Sequence, residues 1–320
     1  MASTFSGFKK GLYLHERRYR LFDFILNPFL AWQKLSTWKN LKGFKDSPES
    51  FQLRIQQSNL NIFEFIMIMG SQAYAKENHS LQWIDEFIQF ENLNFTCLND
   101  KEFDLPSLKE YQDRGIVTPY ISQIISYANI CKEQLPHENN SHYNFSSQNL
   151  VDLNLKPFLS GIEYLVRRAV VLEVNVLSIR GELKGSTPNE RFQSFVIRNQ
   201  SRSNRNEFHK KYPVLARLTQ TKLKFWAVNT QEMFNRLNIN WNLICSTFDI
   251  DLKDVLVSLD RSGDTHNNGN TVNILYFKSG KSLVYKPRSI SLEEGFQKYI
   301  NFFNVKSPEL NLKTIRTLSC

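Results

Sequence analysis

The chain has 320 residues, of which 41% are apolar and 22% are charged, and this balance excludes a disordered or collagen-like protein. Only 12 glycines and 10 prolines occur, which favours a mainly helical fold. The 40 basic residues exceed the 31 acidic ones, and the net charge of +9 favours an anionic partner: nucleic acid, a membrane surface, a nucleotide or an acidic peptide. A basic surface without a specific partner is the alternative.

The four cysteines stand at positions 97, 131, 245 and 320 and include no CxxC pair, which excludes a zinc ribbon or a thioredoxin-like motif. Isolated cysteines of this kind are typical of a reducing cytoplasm. The longest apolar run, Phe65 to Met69, is far shorter than the about 20 residues that cross a bilayer, and the N-terminal segment lacks the apolar core of a signal peptide. We therefore predict a cytoplasmic protein without a transmembrane segment.

Helical periodicity dominates the first 250 residues, and a polar stretch from Gln134 to Asn149 predicts a linker. We place a boundary there, with an N-terminal helical region at 1–150 and a second helical region at 151–250. In the second region, Thr187-Pro188-Asn189-Glu190 predicts a helix that begins with a capping box.

The basic stretch from Ile197 to Pro213 is predicted to be a solvated loop, and a loop that binds peptide or phosphate is the alternative. Nucleic acid is a less favoured ligand, because aromatic side chains that could stack on bases are nearly absent from this stretch. We therefore predict no nucleic-acid partner.

After Ile250 the pattern becomes that of strands. Val255, Val257 and Leu259 alternate with polar residues, and residues 272–277 alternate in the same way. The turn at 278–281 closes a hairpin with a third strand at 283–285, which Pro287 ends. The motif Ser291-Leu292-Glu293-Glu294 predicts a capping box and a helix. The apolar side of this helix comprises Leu292, Phe296, Tyr299, Ile300 and Phe303. The predicted fold class is therefore α+β, predominantly helical with a small antiparallel sheet near the C-terminus.

The order of these last elements is that of a protein-kinase N-lobe, in which a loop between two strands covers nucleotide phosphates and a lysine on the third strand reaches them. Here the loop runs from Gly263 to Gly269, and the lysine is Lys286. The loop is neither a GxGxxG motif nor a Walker motif. A lysine on a short strand is usually only solvated, so the order of the elements does not by itself indicate a nucleotide site. The order of the elements and the residue types together predict that residues 251–320 form a partial, truncated kinase-like N-lobe.

The residue types at this end of the chain favour an anionic ligand. Lys286 and Arg288 lie two residues apart and share one face of a strand. Asp264 and His266 are likewise two apart, and a carboxylate beside an imidazole suits acid–base chemistry. Asp264 capping a turn and His266 as a plain polar loop residue are the alternatives. The spacing also fits metal ligands, but this pair lacks further ligands, so we predict no metal site from it.

Residues 263–297, GDTHNNGNTVNILYFKSGKSLVYKPRSISLEEGFQ, resemble the dehydratase region of class II lanthipeptide synthetases, the LanM type. The resemblance extends upstream through GELKGSTPNERFQSF and YPVLAR and covers about residues 155 to 310. The matching residues are Gly263, Asp264, His266, Gly269, Val272, Phe277, Gly280, Tyr285, Lys286, Pro287 and Arg288.

The resemblance implies an enzyme that phosphorylates Ser and Thr of a precursor peptide with ATP and magnesium, and then eliminates the phosphate to leave dehydroamino acids. It implies that Lys286 contacts phosphates, with Gly269 and Arg288 at the bound cofactor. It places Asp264 and His266 over the active site, in phosphorylation or elimination. One departure is Asn270, where many members have a basic residue.

The end of the chain is a larger departure. After Lys286 the carboxylates are Glu293, Glu294 and Glu309, and no HRD-like or DFG-like segment or zinc cyclase domain follows. We therefore expect a truncated, N-terminal part of a dehydratase, inactive alone, whose partners are the precursor (leader) peptide and the missing C-terminal part. A leader-peptide-binding module and a degenerate relic without catalysis remain the alternatives.

Overall fold

A computed structural model describes residues 11–18, 25–72, 82–92, 105–135 and 147–319. Most of the predicted linker, residues 136–146, lies outside the described residues, as do Cys97 and Cys320. The described helices are α1 (Leu14–Arg18), α2 (Pro28–Lys39), α3 (Pro48–Gln57), α4 (Ile62–Gly70), α5 (Gln82–Asn92), α6 (Pro106–Asp113), α7 (Ile121–Gln134), α8 (Ser147–Ile179), α9 (Pro188–Arg198), α10 (Arg202–Lys211), α11 (Pro213–Ile239), α12 (Trp241–Phe248) and α13 (Ser291–Lys306).

The strands of the described residues form two small antiparallel sheets. One pairs β1 (Ile25–Leu26) with β2 (Ser71–Gln72). The other has the order β3 (Leu256–Ser262), β4 (Val272–Phe277) and β5 (Ser282–Tyr285). This sheet near the C-terminus confirms the predicted antiparallel hairpin in a mostly helical chain.

The chain divides into two compact units. The first comprises residues 1–92 and 202–218. Its helices begin where the sequence supplies caps: the side chain of Asn27 accepts a hydrogen bond from the Leu30 amide ahead of α2, and Ser47 does the same for Ser50 ahead of α3. Between these helices and α4 lies a core centred on Phe65, whose ring meets those of Trp38 and Phe51 edge to face.

The second unit comprises residues 93–201 and 219–320 and contains the three-stranded sheet. Trp226 of α11 is almost fully buried, and its ring stacks on Phe158 of α8 with centroids 5.3 Å apart. Trp241 of α12 packs on Phe277 of β4 at 5.8 Å, so the inner face of the sheet is covered by helices. The Trp241–Phe277 contact packs the sheet against α12, and the Trp226–Phe158 stack joins α11 to α8.

Of the two predicted capping boxes, one is confirmed and the other is wrong. The capping box ahead of α9 is confirmed, because Thr187 and Glu190 exchange both hydrogen bonds. The capping box at Ser291–Glu294 is wrong, because α13 begins after Ile290 without a side-chain cap. The described α13 has no buried residue, and Leu292 and Phe296 of its apolar side are 79% and 63% exposed.

The first strand of the larger sheet departs from the predicted alternation. The register of β3 on β4 shifts between Leu256 and Ser258, as at a β-bulge. Leu256 and Leu259 are therefore both buried, and Val257 is 48% exposed. The extra residue moves Val257 to the outer face, which a strict period of two does not predict.

The basic stretch from Ile197 to Pro213, predicted to be a solvated loop, is largely helical. It contains the end of α9 and the whole of α10. Arg205, Phe208 and His209 of α10 are buried, and Arg205 forms an ion pair with the buried carboxylate of Glu91 at 3.1 Å. Tertiary burial of one face overrides the low helix propensity of this polar segment.

No helix within the described ranges is both long and apolar enough to cross a membrane.

Gly115 provides a test of the packing in the second unit. It has a φ of +73°, and a Cβ there would lie 2.3 Å from Val196 Cγ2. Gly181 has a similar φ of +70° but open space around it. We expect Gly181→Ala to lower the free energy of unfolding by about 1–2 kcal/mol, the cost of the left-handed backbone. Gly115→Ala should cost about 1–3 kcal/mol more, because the methyl group must displace Val196. Equal losses of the two variants in urea unfolding would contradict this packing.

Candidate functional site

The glycine-containing loop and Lys286 lie at the same end of the three-stranded sheet. Ser262 pairs with Val272 at the last position of β3 and β4, so the loop leaves and enters the sheet there. Asn273 pairs with Tyr285, the last residue of β5. Lys286 follows Tyr285 directly, and the register therefore places its backbone next to the base of the loop.

Lys286 and Arg288 share one carboxylate. Lys286 Nζ donates a hydrogen bond to Glu293 Oε1 at 2.9 Å, and Arg288 Nη2 donates to the same oxygen at 3.0 Å. Glu293 lies in the first turn of α13, so the helix that follows the sheet positions both cations. Two cations and one anion leave a net positive charge at this point, which suits a phosphate ligand.

The hydrogen bond from Lys286 is the main reason that the pKa of Glu293 is lowered, and Arg288 contributes to the same effect. The carboxylate is therefore ionised at neutral pH. Its second oxygen, Oε2, is buried and accepts no hydrogen bond from the part of the protein that the structure describes. A buried carboxylate oxygen of this kind is a place for a water molecule or a ligand donor.

A cavity of about 1060 Å³ adjoins this ion pair. The residues that line it include Lys286, Arg288 and Glu293, together with Arg236 of α11 and residues 315–319. Arg236 Nη1 donates a hydrogen bond to the Tyr285 hydroxyl at 3.1 Å, which ties β5 to α11. The cavity is large enough for a nucleotide-sized ligand.

The loop itself is held from behind by one helix and by the strand that leads into it. Asn229 Nδ2 of α11 donates to the Asn268 carbonyl at 2.9 Å, and Arg261 Nη2 donates to the Gly269 carbonyl at 3.3 Å. Gly269 has a φ of +76°, and a Cβ there would lie 3.1 Å from Phe225 Cβ. Only glycine combines this backbone conformation with so close an approach to α11.

Arg261 is a largely buried cation beneath the loop. Its guanidinium lies 5.5 Å from the centroid of the Phe158 ring, and burial lowers its pKa to about 10. It lines a small polar cavity together with Asn270. A positive charge is therefore present beneath the loop although position 270 is uncharged.

The structure places the predicted Asp264 and His266 side chains on the exposed surface of the loop. Neither side chain makes a hydrogen bond or an ion pair with another described side chain. The described residues that line the cavity of about 1060 Å³ do not include Asp264, His266 or Gly269. The structure thus brings together Lys286 and Arg288 but does not join Asp264 to His266. The roles of these residues stay predictions.

The site also contains residues that sequence reasoning did not assign. Glu293 appeared in the sequence only within the predicted capping box and as one of the late carboxylates. An acidic residue in the first turn of the helix that follows Lys286 could have indicated it. Asn229 has no local signal, because its contact depends on how α11 packs on the loop. Arg261, on β3 at the base of the loop, was not assigned either.

Comparisons with known proteins agree with the resemblance of residues 263–297. A family model described as a domain of unknown function, DUF4135, matches residues 212–320. The lacticin 481/lactococcin biosynthesis protein LcnDR2 of Lactococcus lactis subsp. lactis is 26% identical over 143 residues. The chain is distantly related to that protein. The match covers 43% of this chain and 15% of the relative. Together, the two matches confirm the resemblance to class II lanthipeptide synthetases as a distant relationship.

The lowered pKa of Glu293 leads to a pH-dependent prediction. Because the pKa of Glu293 is lower in the folded chain than in the unfolded chain, the ion pair stabilises the fold fully above the ordinary glutamate pKa. This contribution to the free energy of unfolding should be lost as the pH falls through the lowered pKa of the folded chain. In a titration followed by carboxyl-carbon NMR, Glu293 should titrate below about 4.3, its ordinary value. Lys286→Ala should move the titration upward, whereas Lys298→Ala, which removes an exposed lysine of the same helix, should leave it in place. An unchanged titration in Lys286→Ala would contradict the ion pair.

Proposed function

We propose that this chain provides the phosphate-binding sheet of a lanthipeptide dehydratase, a kinase-like unit that acts on Ser and Thr of a precursor peptide with ATP. The observation that carries the proposal is the Lys286–Glu293 ion pair at the loop end of the sheet. In protein kinases a strand lysine and a helix glutamate form such a pair, and the lysine then contacts nucleotide phosphates.

The residues fit a triphosphate. Lys286 Nζ is 2.9 Å from Glu293 and its side chain is 33% exposed, so it is oriented and yet accessible. Arg288 is 65% exposed and adds a second donor to the same anion. The loop from Gly263 to Gly269 leaves the sheet at the end where Lys286 follows β5. Bound ATP would supply the transferable phosphoryl group, and these residues would bind and orient it.

The residues do not fit a magnesium site. Within the described ranges, no group of three or more His, Cys, Asp or Glu side chains is placed to hold a metal ion. Magnesium is bound by carboxylates and phosphate oxygens, and near Lys286 the carboxylate is Glu293, which is already engaged by two cations. We therefore assign magnesium no step on these residues.

Asp264 and His266 are proposed to act from the loop above the phosphates. Both are exposed, so they are accessible to a peptide Ser or Thr and to the phosphorylated product. A carboxylate and an imidazole on one loop can move a proton in phosphorylation or in elimination. No bond between the two side chains is needed for either role.

The test is a dehydration assay in a chimaera that joins this chain to the remainder of the lacticin 481/lactococcin biosynthesis protein. With ATP, magnesium and the precursor peptide of that protein, mass spectrometry should show loss of water from the peptide. Asp264→Ala or His266→Ala should impair the reaction, and accumulation of phosphorylated peptide would assign the residue to elimination. A chimaera with Lys286→Ala that dehydrates the peptide at the unmutated rate would overturn the proposal.

A further inference from the structure

The turn that ends the loop is held by two side chains from beneath. Asn268 and Gly269 have φ angles of +56° and +76°, so two left-handed residues in a row bend the chain there. Asn229 Nδ2 donates to the Asn268 carbonyl at 2.9 Å, and Arg261 Nη2 donates to the Gly269 carbonyl at 3.3 Å. The two donors therefore act on neighbouring carbonyl groups of one turn.

The same turn is connected to the rest of the loop through the backbone. The Gly269 amide donates to the His266 carbonyl at 3.0 Å, and the His266 amide donates to the Asn270 carbonyl at 2.8 Å. Gly269 thus bonds to the loop through its amide and to Arg261 through its carbonyl. A shift of Gly269 would move His266 as well, and with it the exposed surface of the loop.

Arg261 is a buried cation that forms no ion pair with any residue that the structure describes. Burial alone lowers its pKa, and no charged neighbour contributes. Its guanidinium lies over the Phe158 ring, which supplies attraction but no negative charge. A buried cation without an anion is costly, and an anionic ligand at the loop would supply the missing charge.

The surroundings of the guanidinium favour a hydrogen-bond donor. Asn154 Oδ1 and Asn273 Oδ1 are buried and accept no hydrogen bond within the described part of the chain. Both residues line, with Arg261, the same cavity of about 10 Å³, which is room for one water molecule. A water molecule there can donate to the two oxygens and accept from the guanidinium. Arg261 therefore has suitable partners on the side away from the loop as well.

We propose that Arg261 is a positioning residue for the phosphate groups of the bound nucleotide, because it holds the turn at 268–269 and so keeps the loop in one shape. The proposal rests on the proposed function, in which the loop lies over the phosphates of ATP. Arg261 acts through the Gly269 carbonyl and does not touch the ligand. A loop that is in the binding shape for only a fraction of the time weakens the apparent affinity by that fraction.

The first experiment is hydrogen exchange of the 320-residue chain without a ligand. Arg261→Met should speed exchange of the His266 and Gly269 amides by about fivefold or more, because the turn opens locally when it loses this donor. Arg261→Lys keeps a charged donor over the ring and should stay within about twofold of the unmutated rate. Unchanged exchange of the two amides in Arg261→Met would overturn the proposal.

The matched control for the lost charge is Lys278→Met. Lys278 is exposed and follows β4 at the end of the sheet opposite the loop, so its replacement should change loop exchange and ATP affinity by less than about twofold. Equal effects of Lys278→Met and Arg261→Met would overturn the proposal, because they would show a general effect of charge.

The second experiment compares ATP with AMP by displacement of a fluorescent ATP analogue. Arg261→Met should weaken ATP binding by about tenfold, the worth of a hydrogen bond from a charged donor. AMP has a single phosphate and should lose less than about threefold, and Arg261→Lys should recover ATP binding to within about threefold. Equal losses for the two nucleotides would indicate a merely structural role and overturn the proposal, as would unchanged ATP binding in Arg261→Met.

Asn229→Ala tests the turn without changing the charge of Arg261. It should weaken ATP binding by about threefold to tenfold, as expected for one neutral hydrogen bond. The double variant Arg261→Met/Asn229→Ala should lose less than the product of the two single losses, because either change already releases the turn. Asn235→Ala, a partly buried asparagine of the same helix that does not bond to the loop, is the control. Single losses that multiply would contradict action through one turn.

The outcomes are separable from those of the proposed function. If the unmutated chain does not bind ATP, the proposed function fails, and the exchange of the ligand-free loop still decides whether Arg261 holds the turn. If Lys286→Ala weakens ATP binding and Arg261→Met does not, the proposed function stands and the role of Arg261 fails.

Discussion

Lys286→Ala should weaken ATP binding by about ten- to hundredfold. A hydrogen bond to a charged group contributes about 1.5–3 kcal/mol, and each 1.4 kcal/mol is a factor of ten in affinity. Lys286 is held by Glu293 at 2.9 Å, so little side-chain entropy is lost when it contacts a phosphate. Displacement of a fluorescent ATP analogue measures the effect in the 320-residue chain.

The control for this prediction is Lys298→Ala, because Lys298 is an exposed lysine of the same helix α13. It removes the same charge and should leave the affinity for ATP within about twofold of the unmutated value. Unfolding should not account for the loss in Lys286→Ala, since partly exposed ion pairs contribute about 0–1 kcal/mol to stability. Equal affinities of Lys286→Ala and Lys298→Ala would show that Lys286 is an ordinary solvated residue.

Trp226→Ala should lower the free energy of unfolding by about 3–5 kcal/mol, the usual cost of removing a buried tryptophan. Trp226 is 1% exposed and stacks on Phe158, and the Phe158 ring in turn lies beneath the guanidinium of Arg261. The variant therefore removes the support of both the sheet and the loop. A loss of this size is a large share of the about 5–15 kcal/mol that stabilises a typical domain.

Trp32→Ala is the matched control, because Trp32 is 70% exposed and should cost less than about 0.5 kcal/mol. Urea unfolding followed by circular dichroism compares the two variants. A Trp226→Ala chain as stable as Trp32→Ala would contradict the central position of the Trp226–Phe158 stack.

Local patterns predicted the parts of the fold that depend on neighbours in sequence. The hairpin between β4 and β5 follows from a period of two and from Gly280, whose φ of +84° closes the turn. The start of α9 follows from Thr187 and Glu190, which bond to each other's backbone within one turn. The prediction that Lys286 and Arg288 share a strand face is wrong, because β5 ends at Tyr285 and both residues lie beyond it. The structure nevertheless brings them together, against one carboxylate.

Features that depend on distant contacts could not be predicted in this way. The bulge that exposes Val257 inserts one residue without a sequence signal. The burial of Phe208 and His209 was hidden by the charges around them, since only tertiary contacts select the apolar face of α10. The hydrogen bond of Asn229 to the loop depends on the packing of α11, which is far away in the sequence.

Hydrogen exchange with and without ATP tests most directly whether the loop and Lys286 form one phosphate site. If they do, ATP should slow amide exchange in residues 263–271 and in residues 286–294 together, and Lys286→Ala should remove the protection of both segments. Lys298→Ala should keep it. Protection confined to other parts of the chain, or ATP-dependent protection of the loop that persists in Lys286→Ala, would contradict the account.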